Sequence, residues 1–224
     1  MKKTRSFLLI FLLFCLSCAK NDDDFPLNNN CLTGLGIIVS ETRSVSNFHS
    51  INSTIEADIL LTQGPREDLI IEAQQNILQV LKTEVVNGEL RLSTNQCVDV
   101  LQRVKVIITI PNIKKLTLTG EGDIIAQNDF NLANLIVILT GVGDIILKGE
   151  TLTFDILLNG VGNVKSFNFD ADTCEVTLTG VGDAEVFVND ELKVTLTGVG
   201  NVYYKGQPSI TANITGAGSI IDAN

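Results

Sequence analysis

Asp123, Asp144, Asn163, Asp183 and Asn201 share one sequence context, each following a Gly-x-Gly. Carboxylates and carboxamides gathered in a column are the oxygen donors that a hard cation such as calcium takes. Only Asp123 and Asp144 are acids in neighbouring copies, however, and the calcium-binding nonapeptide repeat is absent. Asp and Asn after glycine also close turns by bonding nearby backbone. That is the expected role here, and no metal is expected.

Catalytic chemistry finds few residues to work with. His49 is the single histidine, tryptophan is absent, and no Ser-His-Asp or Cys-His set stands in a motif context. Neither enzymatic activity nor a cofactor is expected. Polysaccharide-active β-helical proteins would need converging acids and bases in a groove, which architecture alone does not supply. His49 reads as a surface or turn residue. The formal net charge of -10, from 16 basic and 26 acidic side chains, disfavours nucleic acid, whose phosphates require a basic footprint that the sequence does not show.

Cysteine offers a different chemistry. Lys2, Lys3 and Arg5 precede an apolar run from Phe7 to Leu16, then Ser17 and Cys18. This charge, apolar and small-residue order is that of an export signal, too short to span a bilayer. Leu16-Ser17-Cys18 resembles the lipobox of bacterial lipoproteins, with Cys15 departing from the usual leucine. The resemblance implies cleavage after residue 17 and acylation of Cys18, an effectively permanent membrane anchor. Lys20, Asp22, Asp23 and Asp24 follow and resemble the surface-export signal of Bacteroidetes-type lipoproteins. Residues 18–36 are thus expected to form a lipidated, polar tether, at the outer membrane and exposed on the surface. Of the remaining cysteines, Cys174 alternates with Val176 and Leu178 on an apolar strand face and reads as core. Cys31 and Cys97 lie near polar turns and are the disulfide candidates for an oxidising compartment.

The elements that carry these residues follow from a repeat. Leu116-Thr-Leu-Thr-Gly-Glu-Gly-Asp123 returns as Val137-Ile-Leu-Thr-Gly-Val-Gly-Asp144 and in four later copies, with first glycines at Gly120, Gly141, Gly160, Gly180, Gly198 and Gly216. A period of roughly 20 residues means a solenoid of stacked units. Alternation with period two and abundant Thr and Val make each unit a β-coil. Alignment stacks Leu118, Leu139, Leu158, Leu178, Leu196 and Ile214 in one inward row, and Ile124, Ile145, Val164, Ala184, Val202 and Ile220 in another beyond the corner. Glycine suits a corner where coils about 4.8 Å apart leave no room for side chains.

Residues 37–113 are also strand-rich but less regular, with a hairpin signal at Asn87-Gly88 and one helical turn expected near residues 76–81. The Gly-Val-Gly-Asn and Gly-Val-Gly-Asp repeats, preceded by Val104-Lys-Val-Ile-Ile-Thr-Ile-Pro-Asn-Ile113, resemble the auto-transporter adhesin head, or GIN, domain family. That resemblance implies an all-β, single-stranded, right-handed parallel β-helix, and a role in adhesion without assigned catalytic or binding residues. The expected organisation is a signal peptide at 1–17, a tether at 18–36 and one solenoid domain at 37–224. Within that domain, 37–113 are irregular and 114–224 form regular coils.

Alternation also fixes what points outward. Ile136, Ile138 and Leu157 on one side of the corner, and Ile125 and Ile146 on the other, form an apolar patch that gives way to Thr177, Thr195, Lys165 and Glu185 in later coils. Such a patch is seldom left in water. Either the 37–113 segment covers it, which is the reading preferred on sequence, or it meets a protein partner or a second copy. Paired threonines such as Thr177 and Thr179 suggest an ice-binding array, but Ile138, Leu157 and Asn159 interrupt it. The function expected is therefore a non-catalytic envelope lipoprotein presenting a rigid solenoid for adhesion or protein contact. The alternative is a carbohydrate-binding or polysaccharide-active β-helix, for which the chain offers few aromatics besides Phe167, Phe169, Phe187, Tyr203 and Tyr204.

Overall fold

The computed structural model describes residues 31–100 and 102–224. The expected signal peptide, Cys18 and the expected tether as far as residue 30 lie outside the described residues. Cys31–Asn224 forms one compact unit, so residues 31–36, expected in the tether, belong to the folded part.

In the N-terminal part the elements are β1 (Leu32–Thr33), β2 (Ile38–Thr42), β3 (Ser50–Ser53), β4 (Ala57–Gln63), β5 (Asp68–Gln74), α1 (Gln75–Leu78), β6 (Leu81–Val86), β7 (Glu89–Thr94), β8 (Val98–Asp99) and β9 (Val104–Ile110). The repeat region supplies β10 (Lys115–Leu118), β11 (Ile124–Ala126), β12 (Phe130–Leu139), β13 (Ile145–Leu158) and β14 (Val164–Leu178). It closes with β15 (Ala184–Leu196), β16 (Val202–Lys205), β17 (Ser209–Ile214) and β18 (Ile220–Asp222).

These strands stack as a β-solenoid with parallel ladders. The first sheet runs β7, β3, β10, then the C-terminal halves of β12 to β15, and finally β17. The second runs β9, β4, β11, the N-terminal parts of β13 to β15, β16 and β18. Register follows the repeat, with Leu118 beside Leu139, Leu139 beside Leu158, and Leu178 between Leu158 and Leu196. All five leucines are fully buried. Each inward row thus becomes a continuous aliphatic ladder, the main source of stability in a fold whose units contact only their neighbours.

The corner sets the shape of the coil. Gly143 has φ +143, and a Cβ there would overlap the Gly122 carbonyl oxygen of the coil before it. Glycine is required on both counts.

The 37–113 segment does not fold over the patch. It extends the solenoid, and out of sequence order: β3 and β4 lie between the β7/β9 turn and the β10/β11 turn. The reason is that Ile59, Leu61, Val106 and Ile108 bury their own inward side chains in the same core, so these strands must join the stack. Between them the chain leaves through β5, antiparallel to β9, passes α1, and returns by the β6–β7 hairpin. Asn87 and Gly88, both at positive φ, make that turn. β6 and the β5–β2 pair thereby close the N-terminal end of the stack.

Candidate functional site

The corner column resolves into a hydrogen-bonded ladder. Asp123 Oδ1 accepts the backbone N–H of Asp144 at 2.8 Å, Asp144 Oδ1 that of Asn163 at 2.8 Å, and Asn163 Oδ1 that of Asp183 at 2.9 Å. Asp183 and Asn201 continue it to Asn201 and Ser219 at 2.6 and 3.1 Å, and Asp58 begins it with the N–H of Asp123 at 3.3 Å. The side chains reach the next coil, where they satisfy a backbone donor that the turn leaves over. Lys165 Nζ lies 2.6 Å from Asp144 Oδ2. Burial alone would raise the Asp144 pKa, but the Lys165 and Asn163 hydrogen bonds outweigh it and hold the carboxyl below its ordinary value. This column is structural.

Cys31 and Cys97 are joined, with Cα atoms 4.5 Å apart. The link ties the first described residue to the β7–β9 corner, where β1 pairs with β8, at the closed end of the stack. Cys174 is buried between Phe154 and Leu192, its partners on the two neighbouring strands, and burial pushes its thiol pKa up. His49 sits exposed beside the hairpin turn, its backbone N–H on the Gly88 carbonyl at 2.9 Å and its Nδ1 3.2 Å from Ser50 Oγ.

The five patch residues fall on two faces. Ile136, Ile138 and Leu157 lie outside the first sheet, Ile136 being 41% exposed and the others half-buried. Ile125 and Ile146 are paired on the outside of the second sheet. There the structure extends them: Ile125 pairs with Leu60, Leu60 with Ile107, and Ile107 with Ile70. The result is an unbroken outward row, Ile70, Ile107, Leu60, Ile125 and Ile146, all half-buried and about 19 Å long at the spacing of adjacent strands. Thr62 and Thr109 border the row on one side, and Asp58, Lys105 and Glu72 on the other. Sequence reading missed Ile70, Ile107 and Leu60 because their adjacency depends on the out-of-order stacking. The alternation within each strand was visible, but the neighbours were not.

Further along the same face, Phe167, Phe187 and Tyr203 are half-buried, with Lys205 Nζ 4.7 Å above the Phe167 ring. Phe169 points inward and is fully buried. The corner itself carries a second exposed row, set by the middle residue of each Gly-x-Gly: Val142, Val161, Val181 and Val199, about half exposed. With the flanking Thr140, Asn159, Thr179 and Thr197 they edge a shallow, glycine-floored groove of about 580 Å³.

Residues 47–208 match the family model described as "Putative auto-transporter adhesin, head GIN domain". Among solved structures, a putative adhesin from Bacteroides fragilis is 24% identical and superposes with a TM-score of 0.68, over 84% of this chain and 98% of its own. A putative adhesin from Parabacteroides merdae is 17% identical, with a TM-score of 0.55 over 86% and 99% of the two chains. A protein from Parabacteroides distasonis described as a putative lipid binding protein is 18% identical, with a TM-score of 0.54 over 86% and 100%. At these identities the likeness is one of fold. No curated protein matches the chain.

Proposed function

The chain belongs to the family of auto-transporter adhesin head GIN domains, and from that membership we propose that it is a non-catalytic adhesion module of the cell envelope. It is held by an acylated Cys18 at the outer membrane and meets a protein partner through the outer face of the second sheet. The observation that carries this reading is the row Ile70, Ile107, Leu60, Ile125 and Ile146. Five aliphatic side chains held in line on rigid strands, bordered by polar residues, have the composition of an interface centre and its rim. Among the described residues no helix is long and apolar enough to cross a membrane, which is consistent with anchorage by lipid.

A second reading has a specific observation in its favour. Phe167, Phe187 and Tyr203 share the outer face of the second sheet with Lys205, and such rings stack on sugar faces. Binding of the chain to arrayed glycans, beside arrayed extracellular-matrix proteins, separates the two. Protein binding that Ile125→Lys removes and Tyr203→Ala leaves intact supports the first reading. Glycan binding with the opposite sensitivity replaces it with the second. Fractionation of cells expressing Cys18→Ser tests the anchor, which requires the variant to leave the membrane fraction.

A further inference from the structure

The two most exposed large aliphatic side chains among the described residues stand one residue apart, ahead of β2. Leu35 is 70% exposed and Ile37 81%, and Ile38, the first residue of β2, follows at 43%. Gly36 between them has φ +88 and open space where a Cβ would stand, so this bend projects beyond the fold. The projection is braced. The Leu35 N–H donates to Asn76 Oδ1 at 3.0 Å, and Asn76 Nδ2 donates to the Thr33 carbonyl at 2.8 Å, so one side chain of α1 grips both arms of the bend. The Gly34 N–H donates to the Asp99 carbonyl at 3.2 Å and the Leu32 N–H to that of Cys97 at 2.9 Å, beside the Cys31–Cys97 link.

Charge is absent around the bend. Residues 31–40 and 73–81 carry no charged side chain, in a chain of which 19% is charged. The two stretches meet through Asn76 and through the pairing of Ile38 with Gln74. Asp99, opposite Thr33, and Glu72, opposite Ser40, mark the limits of the uncharged area. Three aliphatic side chains are thus held out on a fixed backbone with nothing beside them that resists entry into hydrocarbon.

We propose that Leu35, Ile37 and Ile38 dock into the surface of the lipid bilayer that holds the acylated Cys18, an inference that rests on the anchored reading given above. The position of the bend in the chain selects the bilayer as occupant. From Cys18 to Cys31 the chain reaches about 45 Å at most when fully extended, at roughly 3.5 Å per residue. Leu35 follows Cys31 directly, so the anchor keeps this end of the folded part within that distance of the membrane. Three aliphatic side chains would bind a bilayer weakly by themselves, but the anchor makes their insertion intramolecular, and a weak contact then suffices. β2 pairs with β5 alone and ends the second sheet, so docking at its start leaves the later coils directed away from the bilayer. The acyl chains hold the protein at the membrane, and the braced bend sets how it stands there.

The chain contains no tryptophan, so Ile37→Trp provides a single reporter. The protein purified from membranes is reconstituted into phosphatidylcholine vesicles, with and without brominated acyl chains. Flotation of the vesicles reads the anchor, and tryptophan emission reads docking. Ile37→Trp should emit at shorter wavelength than an exposed indole and be quenched by brominated lipid several-fold more than Val199→Trp, which carries its reporter on a later coil of the same tethered chain. Adding Leu35→Asp to Ile37→Trp should abolish the quenching while flotation and melting temperature stay unchanged. A chain that floats but is not quenched at position 37, or is quenched equally at position 199, overturns the docking and leaves the anchor standing. Short-wavelength emission without quenching overturns it too, since protein and not lipid then covers the bend. A chain that does not float overturns the anchor, and the docking with it.

Discussion

Asp123 Oδ1 accepts the backbone N–H of Asp144 across one turn of the solenoid, 2.8 Å away and 21 residues on in sequence. The contact is repeated in every later coil, by Asp or Asn alike, because either side chain supplies the one oxygen that the next N–H needs.

Removing one rung therefore costs a buried-donor penalty and not a metal. Asn163→Ala should lower stability by about 1–2 kcal/mol, the cost of leaving the Asp183 N–H unpaired, while Asn163→Asp keeps that acceptor but loses the Nδ2–H bond to Asp144 Oδ1 and sets a second carboxylate against it, so it should be destabilised at neutral pH and recover as pH falls. Thermal melts of the three proteins check both, and adding calcium or chelator should shift none of them.

Two carboxylates should respond to acid in opposite senses. Asp144 has a lowered folded pKa, so its contribution is present above the unfolded value and is lost as pH falls through the folded one. Asp155, exposed on the outer face of the first sheet, has its pKa raised, first by partial desolvation and then by Glu175, against an opposing pull from Lys193, so ionising it costs a little stability, and that cost is relieved as pH falls. Asp144→Asn should thus be destabilised relative to wild type at neutral pH, with the difference vanishing in acid. Asp155→Asn should be stabilised at neutral pH and lose its advantage in acid. Melting temperatures across the acid range read both.

The Cys31–Cys97 link closes a separation of 66 residues, for which chain entropy predicts a contribution of about 4 kcal/mol. Cys31→Ser with Cys97→Ser should lower the melting temperature, and a non-reduced digest of the wild type should contain the joined peptide. Cys174 should react with a thiol reagent only on unfolding, since it is 4% exposed. Rapid labelling of Cys174 in the native protein would contradict its placement.

Leu178 stands fully buried between Leu158 and Leu196. Leu178→Asp should unfold several coils, because an unpaired carboxylate in the ladder has no partner and each coil depends on the next. Leu178→Ala, which leaves only a cavity, should cost about 2–5 kcal/mol. Unfolding in denaturant, followed by circular dichroism, distinguishes the two.

The regular coils were legible because strict repetition encodes register directly. Aligning Gly141 with Gly160 places Leu139 on Leu158 with no further information. The N-terminal turns were not. Ile55-Glu56-Ala57 stands where the Gly-x-Gly would be at the β3–β4 corner, and the pairing of Ala57 with Val104 joins residues far apart in sequence. Covering the patch with residues 37–113 was a reasonable expectation from exposed aliphatics alone. It fails because the strands that would cover Ile125 have inward faces of their own to bury, and beside Ile125 they add Leu60 to the row.

The outer row of the second sheet is where the adhesive account is most exposed. Cells displaying the wild-type chain, Leu60→Lys or Ile125→Lys at equal surface density can be compared for attachment to the bound extracellular partner. Both positions are half-buried and point outward, so the fold should survive. The account predicts unchanged melting temperatures and attachment reduced by at least tenfold, since burying an unpaired ammonium at the centre of an interface costs more than about 1.4 kcal/mol. Attachment equal to wild type in both folded variants would contradict it.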